Sequence, residues 1–133
     1  TNVVATLIKR MHEAMRLNID LELYGNGLDA RCFTHLDDIS ILIEKIVQLE
    51  NKFLQPIIIS ESKAHTISEL ADSIAASMNF KNGLKFLGID QTNHTIKKIE
   101  NTNMKEVVGP YKFIELDEGI NQTIKRYLGA NEG

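Results

Sequence analysis

Residues 20–38, DLELYGNGLDARCFTHLDD, hold the pattern that decides the fold. Polar and apolar residues alternate over residues 20–24, which is typical of a β-strand, and Gly25-Asn26-Gly27 predicts a tight turn directly after it. A return strand is expected over residues 31–34. The two aspartates that end the stretch suit the positive N-terminal end of a helix. The stretch therefore predicts a strand, a turn, a second strand and the start of a helix.

Apolar residues at three- and four-residue spacing predict helices on both sides of this stretch. The expected helices lie over residues 2–17, 39–49, 66–78, 103–108 and 116–128. Asn2 is expected to be the N-cap of the first helix. Thr66 and Glu69 have the spacing of a capping box for the third, and Gly129 is expected to end the last.

Three further strands are expected between these helices. Residues 56–60, PIIIS, are short, continuous and β-branched, which predicts a strand buried on both faces. Residues 84–87 follow an Asn-Gly break, and residues 96–99 form a weaker strand candidate. Helices and strands thus alternate through much of the chain, which favours an α/β or α+β layer structure over a bundle or a barrel.

Composition limits the classes of protein to consider. The chain has 133 residues, 43% of them hydrophobic, so residues 1–133 are expected to form a single domain with a real core. Fifteen Lys and Arg against eighteen Asp and Glu give a net charge of −3, which argues against nucleic acid as a partner. No apolar stretch reaches the roughly 18 to 20 residues that span a bilayer, so no membrane association is expected.

The cysteine and histidine content narrows the chemistry further. Cys32 is the only cysteine, which excludes an internal disulfide and suits a reducing, cytoplasmic location. The four histidines lack metal-ligand spacing, so no metal site is expected. The chain also opens on Thr1 and enters an apolar pattern at once, from which we expect a fragment of a longer chain.

The sequence contains no evident catalytic motif. It has no G-x-G-x-x-G, P-loop, G-x-S-x-G or H-E-x-x-H, so we assign neither catalytic nor cofactor-binding residues to it. Arg31 follows the glycine turn, and a guanidinium matches phosphate oxygens bidentately. From spacing alone, a surface salt bridge to Asp29, Asp37 or Asp38 is the favoured interpretation of Arg31, and phosphate binding is the alternative.

Several sequence blocks carry a resemblance to a known family. They are residues 2–14 (NVVATLIKRMHEA), 23–27 (LYGNG), 31–38 (RCFTHLDD), 56–60, 66–71, 100–105 and 116–120. In this order and spacing they resemble the C-terminal half of extended short-chain dehydrogenase/reductases that act on nucleotide sugars, the NAD-dependent epimerase/dehydratase family. The similarity covers nearly the whole chain and is greatest to the GDP-L-fucose synthases, which are NADPH-dependent epimerase-reductases.

The resemblance implies a fold and a set of substrate-binding residues. The fold would be a small mixed α/β substrate-binding domain without the main Rossmann domain. Arg31 matches the family arginine that contacts the nucleotide diphosphate, and Tyr24 falls where members place a side chain against the base. Asn2 falls where GDP-L-fucose synthases carry an acid histidine and where other epimerases carry an asparagine that binds substrate. Lys97 falls where many relatives have an arginine near the phosphates.

The resemblance also implies cofactors and partners. The complete parent enzyme would use NADP or NAD, and this chain alone would bind neither and would be inactive. The expected partners are a nucleotide-diphosphate sugar, the missing Rossmann domain of the parent chain and a further copy of the protein in a homo-oligomer. The alternative is a non-catalytic nucleotide-sugar-binding or interaction module, which an absent upstream Rossmann segment would favour.

Overall fold

The chain folds into a small mixed α/β structure of five helices and four short strands within the described residues. The computed structural model describes residues 2–49, 55–88 and 94–132. The elements in chain order are α1 (Val3–Leu17), β1 (Leu21–Leu23), β2 (Ala30–Cys32), α2 (Leu36–Gln48), β3 (Ala64–Thr66), α3 (Ile67–Met78), β4 (Leu84–Phe86), α4 (Thr102–Val108) and α5 (Leu116–Glu132). The expected small mixed α/β fold is confirmed. No helix in the described part of the chain is long and apolar enough to cross a membrane.

The strands form two separate two-stranded sheets. β1 and β4 are parallel and β2 and β3 are antiparallel, so the strand expected over residues 31–34 exists but does not return along β1. The reason lies in the connecting loop. Its Gly27 and Asp29 carbonyls accept hydrogen bonds from Ser68 N and Ile67 N at 2.9 and 2.8 Å, which fixes the loop to the start of α3.

Local capping signals set the helix starts. The Asn2 side chain accepts from Val4 N and Ala5 N at 3.0 and 3.3 Å, so Asn2 is the N-cap of α1 as predicted. Thr66 Oγ1 accepts from Glu69 N at 3.0 Å, which forms half of the predicted capping box. The Glu69 carboxylate instead lies 2.9 Å from His65 Nδ1.

The hydrophobic residues form one main core and one small cluster. In the main core, α1, α3 and α5 pack around β1, with Met11, Leu70, Ala71 and Ile74 wholly buried. In the small cluster, Leu42 of α2 packs against Met104 and Phe113. The main core also holds Leu23 of β1 and Phe33 after β2, the residues on either side of the connecting loop and β2.

Three expectations about element boundaries are wrong. Residues 56–60 form no strand: Ile57 and Ile59 pack on the small cluster, while Ile58 keeps 52% of its surface exposed, so burial alternates instead of covering both faces. In residues 96–99 only Ile96 forms a bridge. Helix α5 continues past Gly129, because this glycine is not in the left-handed conformation that ends helices.

Candidate functional site

Tyr24 lies where the two parallel strands end. Leu87 N donates to Leu23 O at 2.9 Å and Gly88 N to Gly25 O at 2.8 Å, so the carboxyl ends of β1 and β4 stay side by side. A Cβ on Gly88 would lie 2.5 Å from the Gly25 carbonyl carbon, so the approach requires glycine. Tyr24 itself is 87% exposed. In open α/β folds, ligands bind at the carboxyl ends of strands, which makes Tyr24 available to a ligand.

Arg31 lies in the middle of β2, between two other chain segments. On one side it is paired with His65 of β3. On the other side Ala30 forms a parallel bridge with Ile96, and Lys97 N donates to Ala30 O at 2.8 Å. Lys97 is therefore the lateral neighbour of Arg31. Because neighbouring residues across strands share a face, Arg31, His65 and Lys97 lie on one face, which we call the basic patch.

The carboxylates near Arg31 in sequence are engaged elsewhere. Asp29 Oδ1 accepts from Thr95 N at 2.8 Å, and Asp37 Oδ2 pairs with Arg126 at 2.9 Å. Asp38 accepts from both Tyr111 Oη and Ile114 N, at 2.7 and 2.9 Å. Within residues 2–49, 55–88 and 94–132 the Arg31 side chain makes no ion pair or hydrogen bond. The salt-bridge interpretation of Arg31 thus finds no partner in the described chain, and its exposed guanidinium is free for a ligand.

Two of these contacts shift the acidity of their partners. The hydrogen bond from the Arg126 guanidinium lowers the pKa of the Asp37 carboxyl. Burial, together with the hydrogen bond to Asp38 and its charge, raises the pKa of Tyr111 to about 12. Asp37 thus links the start of α2 to α5, and Asp38 links it to the segment before α5.

An open cleft of about 430 Å³ lies among the starts of α1, α2 and α5. It begins at Cys32, the last residue of β2 and one residue beyond Arg31, and continues along the segment after β2 to Leu36. Its polar lining comes from Asn2, Thr34, His35, Glu115, Thr123 and Arg126. Asn2, predicted as a substrate-binding residue, is exposed and lies at this cleft.

The four predicted site residues form no single cluster of contacts. Arg31 and Lys97 are neighbours in the basic patch, Asn2 lines the adjoining cleft, and Tyr24 lies at the far end of the loop that leads into β2. Among the described residues, no hydrogen bond or ion pair joins any two of these four side chains.

Sequence reasoning missed His35 and His65. No local sequence signal points to His65, because its pairing with Arg31 is visible only in the register of β2 and β3. His35 is the N-cap of α2, its Nδ1 accepting from Asp37 N at 3.0 Å. The two aspartates in the first turn of α2 were the signal that could have located this cap.

Comparison with known proteins gives the class of protein to which this fold and site correspond. No family model matches the chain. The relatives that match nearly all of it are nucleotide-sugar reductases, epimerases and dehydratases of the short-chain dehydrogenase/reductase type. The resemblance to the C-terminal part of this class is confirmed.

The individual relatives are GDP-L-fucose synthases. The Escherichia coli K12 protein is 26% identical over 137 residues, and the probable GDP-L-fucose synthase of Drosophila melanogaster is 25% identical over 138. Each match covers 96% of this chain and 42% of the relative. The GDP-L-fucose synthetase of Naegleria fowleri, solved bound to NADP, superposes with a TM-score of 0.81 at 20% identity, over 98% of this chain and 40% of that one. This chain therefore spans about two fifths of its relatives' length.

Proposed function

We propose that this chain is the nucleotide-sugar-binding part of an NAD(P)-dependent nucleotide-sugar epimerase or reductase of the GDP-L-fucose synthase type. The observation that carries the proposal is Arg31. Its guanidinium is exposed, has no partner in the described chain, and shares a face with Lys97 and His65. The relatives' names, GDP-L-fucose synthase, supply the class of ligand.

The basic patch suits a diphosphate for electrostatic reasons. A guanidinium donates two parallel N–H bonds to phosphate oxygens, and a lysine adds a second positive charge without fixed geometry. Arg31 and Lys97 place two positive charges side by side in a chain whose net charge is −3, and the Glu69 carboxylate beside the patch is already bonded to His65. Tyr24, with most of its ring exposed, would pack on the base, a contact worth about 1 kcal/mol beyond area burial.

The residues of this chain do not fit a nicotinamide cofactor. A dinucleotide pyrophosphate is held where a glycine-rich turn leads from a strand directly into a helix N-terminus. Here the glycine turn after β1 leads into β2, not into a helix. In our proposal the rest of the parent protein, a Rossmann domain, binds NADP or NAD, which supplies hydride transfer. This chain contributes binding and orientation of the sugar nucleotide.

Nucleotide binding by the full-length protein tests the proposal. We expect calorimetric titration to show that GDP binds the wild type and binds the Arg31→Ala variant about ten- to a hundredfold more weakly. The matched control is Arg16→Ala, which removes another exposed arginine, one that pairs with Glu13 on α1. Equal affinity of the wild type and Arg31→Ala, or an equal loss in Arg16→Ala, would remove the phosphate role.

A non-catalytic nucleotide-sugar-binding module is the second candidate. It is favoured over a GDP-L-fucose synthase by Asn2, because the resemblance implies an acid histidine at this position and an amide cannot transfer that proton. Turnover of GDP-4-keto-6-deoxymannose with NADPH by the full-length protein separates the two. Nucleotide binding without turnover would identify the module, and turnover would identify the enzyme.

A further inference from the structure

We propose that His35 is a ligand-contacting residue, whose Nε2–H donates a hydrogen bond to a hydroxyl of a hexose bound in the cleft. This inference rests on the proposed function, because it states where the sugar part of the sugar nucleotide lies. His35 is not among the site residues predicted from the sequence.

The cap of α2 determines which ring nitrogen carries the proton. His35 Nδ1 accepts a hydrogen bond from Asp37 N at 3.0 Å, and an accepting imidazole nitrogen has no hydrogen. The proton of the neutral ring is therefore on Nε2. The Nε2–H donor therefore lies on the side of the ring that faces away from the N-terminus of α2.

Burial determines where that donor points. The His35 side chain is only 7% exposed, and α5 lies against it, since a Cβ on Gly119 would come within 3.1 Å of His35 Cδ2. Among the described residues, Nε2 has no hydrogen-bond partner, yet none of their buried side-chain nitrogens lacks one. Nε2 must therefore reach solvent, and His35 is one of the residues that line the cleft.

The remaining lining suits a hexose better than a base or a phosphate. The Glu115 carboxylate and the Asn2 side-chain NH₂ group can bind sugar hydroxyls, and Phe33 and Ile120 offer apolar surface to the C–H face of a sugar ring. The Thr34 and Thr123 hydroxyls are already bonded to Glu61 N and to the Gly119 carbonyl. The one guanidinium of the lining, on Arg126, is already paired with Asp37. The cleft volume of about 430 Å³ is in the range of small-molecule sites, and the cleft begins one residue beyond the arginine proposed to hold the diphosphate.

The His35→Asn variant tests the inference in the full-length protein. Asparagine keeps an acceptor suited to an N-cap but loses the donor that Nε2 provides. We expect the affinity for GDP-L-fucose to fall about tenfold while the affinity for GDP stays unchanged. Ser40→Ala, which removes a hydroxyl bonded only to the Leu36 carbonyl of the same helix, is the control and should change neither affinity.

The outcomes separate this inference from the proposed function. Unchanged affinity of His35→Asn for both compounds overturns the role of His35 and leaves the phosphate site standing. Loss of GDP affinity together with GDP-L-fucose affinity overturns it as well, and failure of the wild type to bind GDP overturns both proposals. If His35→Asn does not fold, ¹⁵N spectra of the wild type decide: the His35 Nε2 resonance should shift with GDP-L-fucose and not with GDP, and equal shifts or none overturn the inference.

Discussion

At the scale of single residues, the geometry of the Arg31 side chain should matter as much as its charge. Lysine at this position keeps the charge but loses the two-pronged N–H donor set, so Arg31→Lys should recover only part of the affinity for GDP that Arg31→Ala loses. Dissociation constants for the wild type and both variants measure this directly. An Arg31→Lys protein that binds GDP as tightly as the wild type would show that charge alone is used.

Tyr24 allows a second test at this scale. With 87% of its surface exposed, it contributes little to folding, so substitution should change binding and leave the melting temperature alone. We expect Tyr24→Ala to weaken GDP binding by about three- to tenfold, because stacking contributes roughly 0.5 to 1.5 kcal/mol. Tyr24→Phe keeps the ring and serves as the control. Wild-type affinity in Tyr24→Ala would exclude contact with the base.

The predictability of the site differs from residue to residue. Arg31 and Tyr24 could be singled out because each adjoins the glycine turn and has a chemistry suited to a nucleotide. Their surroundings could not be, since the neighbours of Arg31 come from β3 and from the segment at Lys97, more than thirty residues away in the chain. The partners of Asp29, Asp37 and Asp38 could not be predicted either, because the residues that bind these carboxylates are all distant in sequence.

At the scale of elements, the difference between local sequence signals and contacts between distant segments also separates the correct predictions from the wrong ones. Helices α1 and α3 were predicted from local signals, a capping side chain and an apolar face, and both begin at the predicted caps. The partner of β2 and the failure of residues 56–60 to form a strand depend on which segments meet in space. Strand pairing joins segments that are distant in sequence. A β-branched run therefore predicts that a segment is able to pair as a strand, but not which segment it pairs with.

The start of α2 is held by a buried carboxylate whose loss of a partner should be costly. Asp38 is 1% exposed and accepts from Tyr111 Oη at 2.7 Å. Tyr111→Phe removes this donor, and we expect the free energy of unfolding in urea to fall by about 1 to 3 kcal/mol. Tyr127→Phe is the matched control, because the Tyr127 hydroxyl makes no hydrogen bond within the described residues. Equal effects of the two substitutions would contradict this role for Asp38.

The same pair predicts a dependence of stability on alkaline pH. The pKa of Tyr111 is raised from 10.0 to about 12 in the folded chain, so folding favours the neutral phenol. The stability it contributes is complete below pH 10 and is lost as the pH rises towards 12. The difference in unfolding free energy between the wild type and Tyr111→Phe should therefore shrink over this interval. A difference that stays constant up to pH 12 would be inconsistent with the raised pKa.

At the scale of the whole molecule, the apolar surface is unevenly distributed. Leu36, Ile43 and Val47 of α2 are 67%, 48% and 76% exposed, and their spacing of seven and four residues puts them on one side of the helix. Ile58 is also 52% exposed. Val3 and Val4, at the start of α1, are by contrast half-buried against the main core. The exposed stripe of α2 is thus the candidate for a surface that the proposed Rossmann domain would cover.

This stripe predicts that the 133-residue chain, produced alone, self-associates, because exposed apolar stripes of this kind are commonly buried in an interface. Light scattering across a wide concentration range should show a mass that rises with concentration. Replacing Ile43 and Val47 together by glutamate should restore the monomer, whereas adding a charge at the exposed polar position Gln48, as Gln48→Glu, should not. In the full-length protein, a Rossmann domain packed on this stripe would make the Ile43 and Val47 substitutions destabilising. If the chain stays strictly monomeric, the stripe is free surface. The same conclusion follows if the Ile43 and Val47 substitutions leave the melting temperature of the full-length protein unchanged.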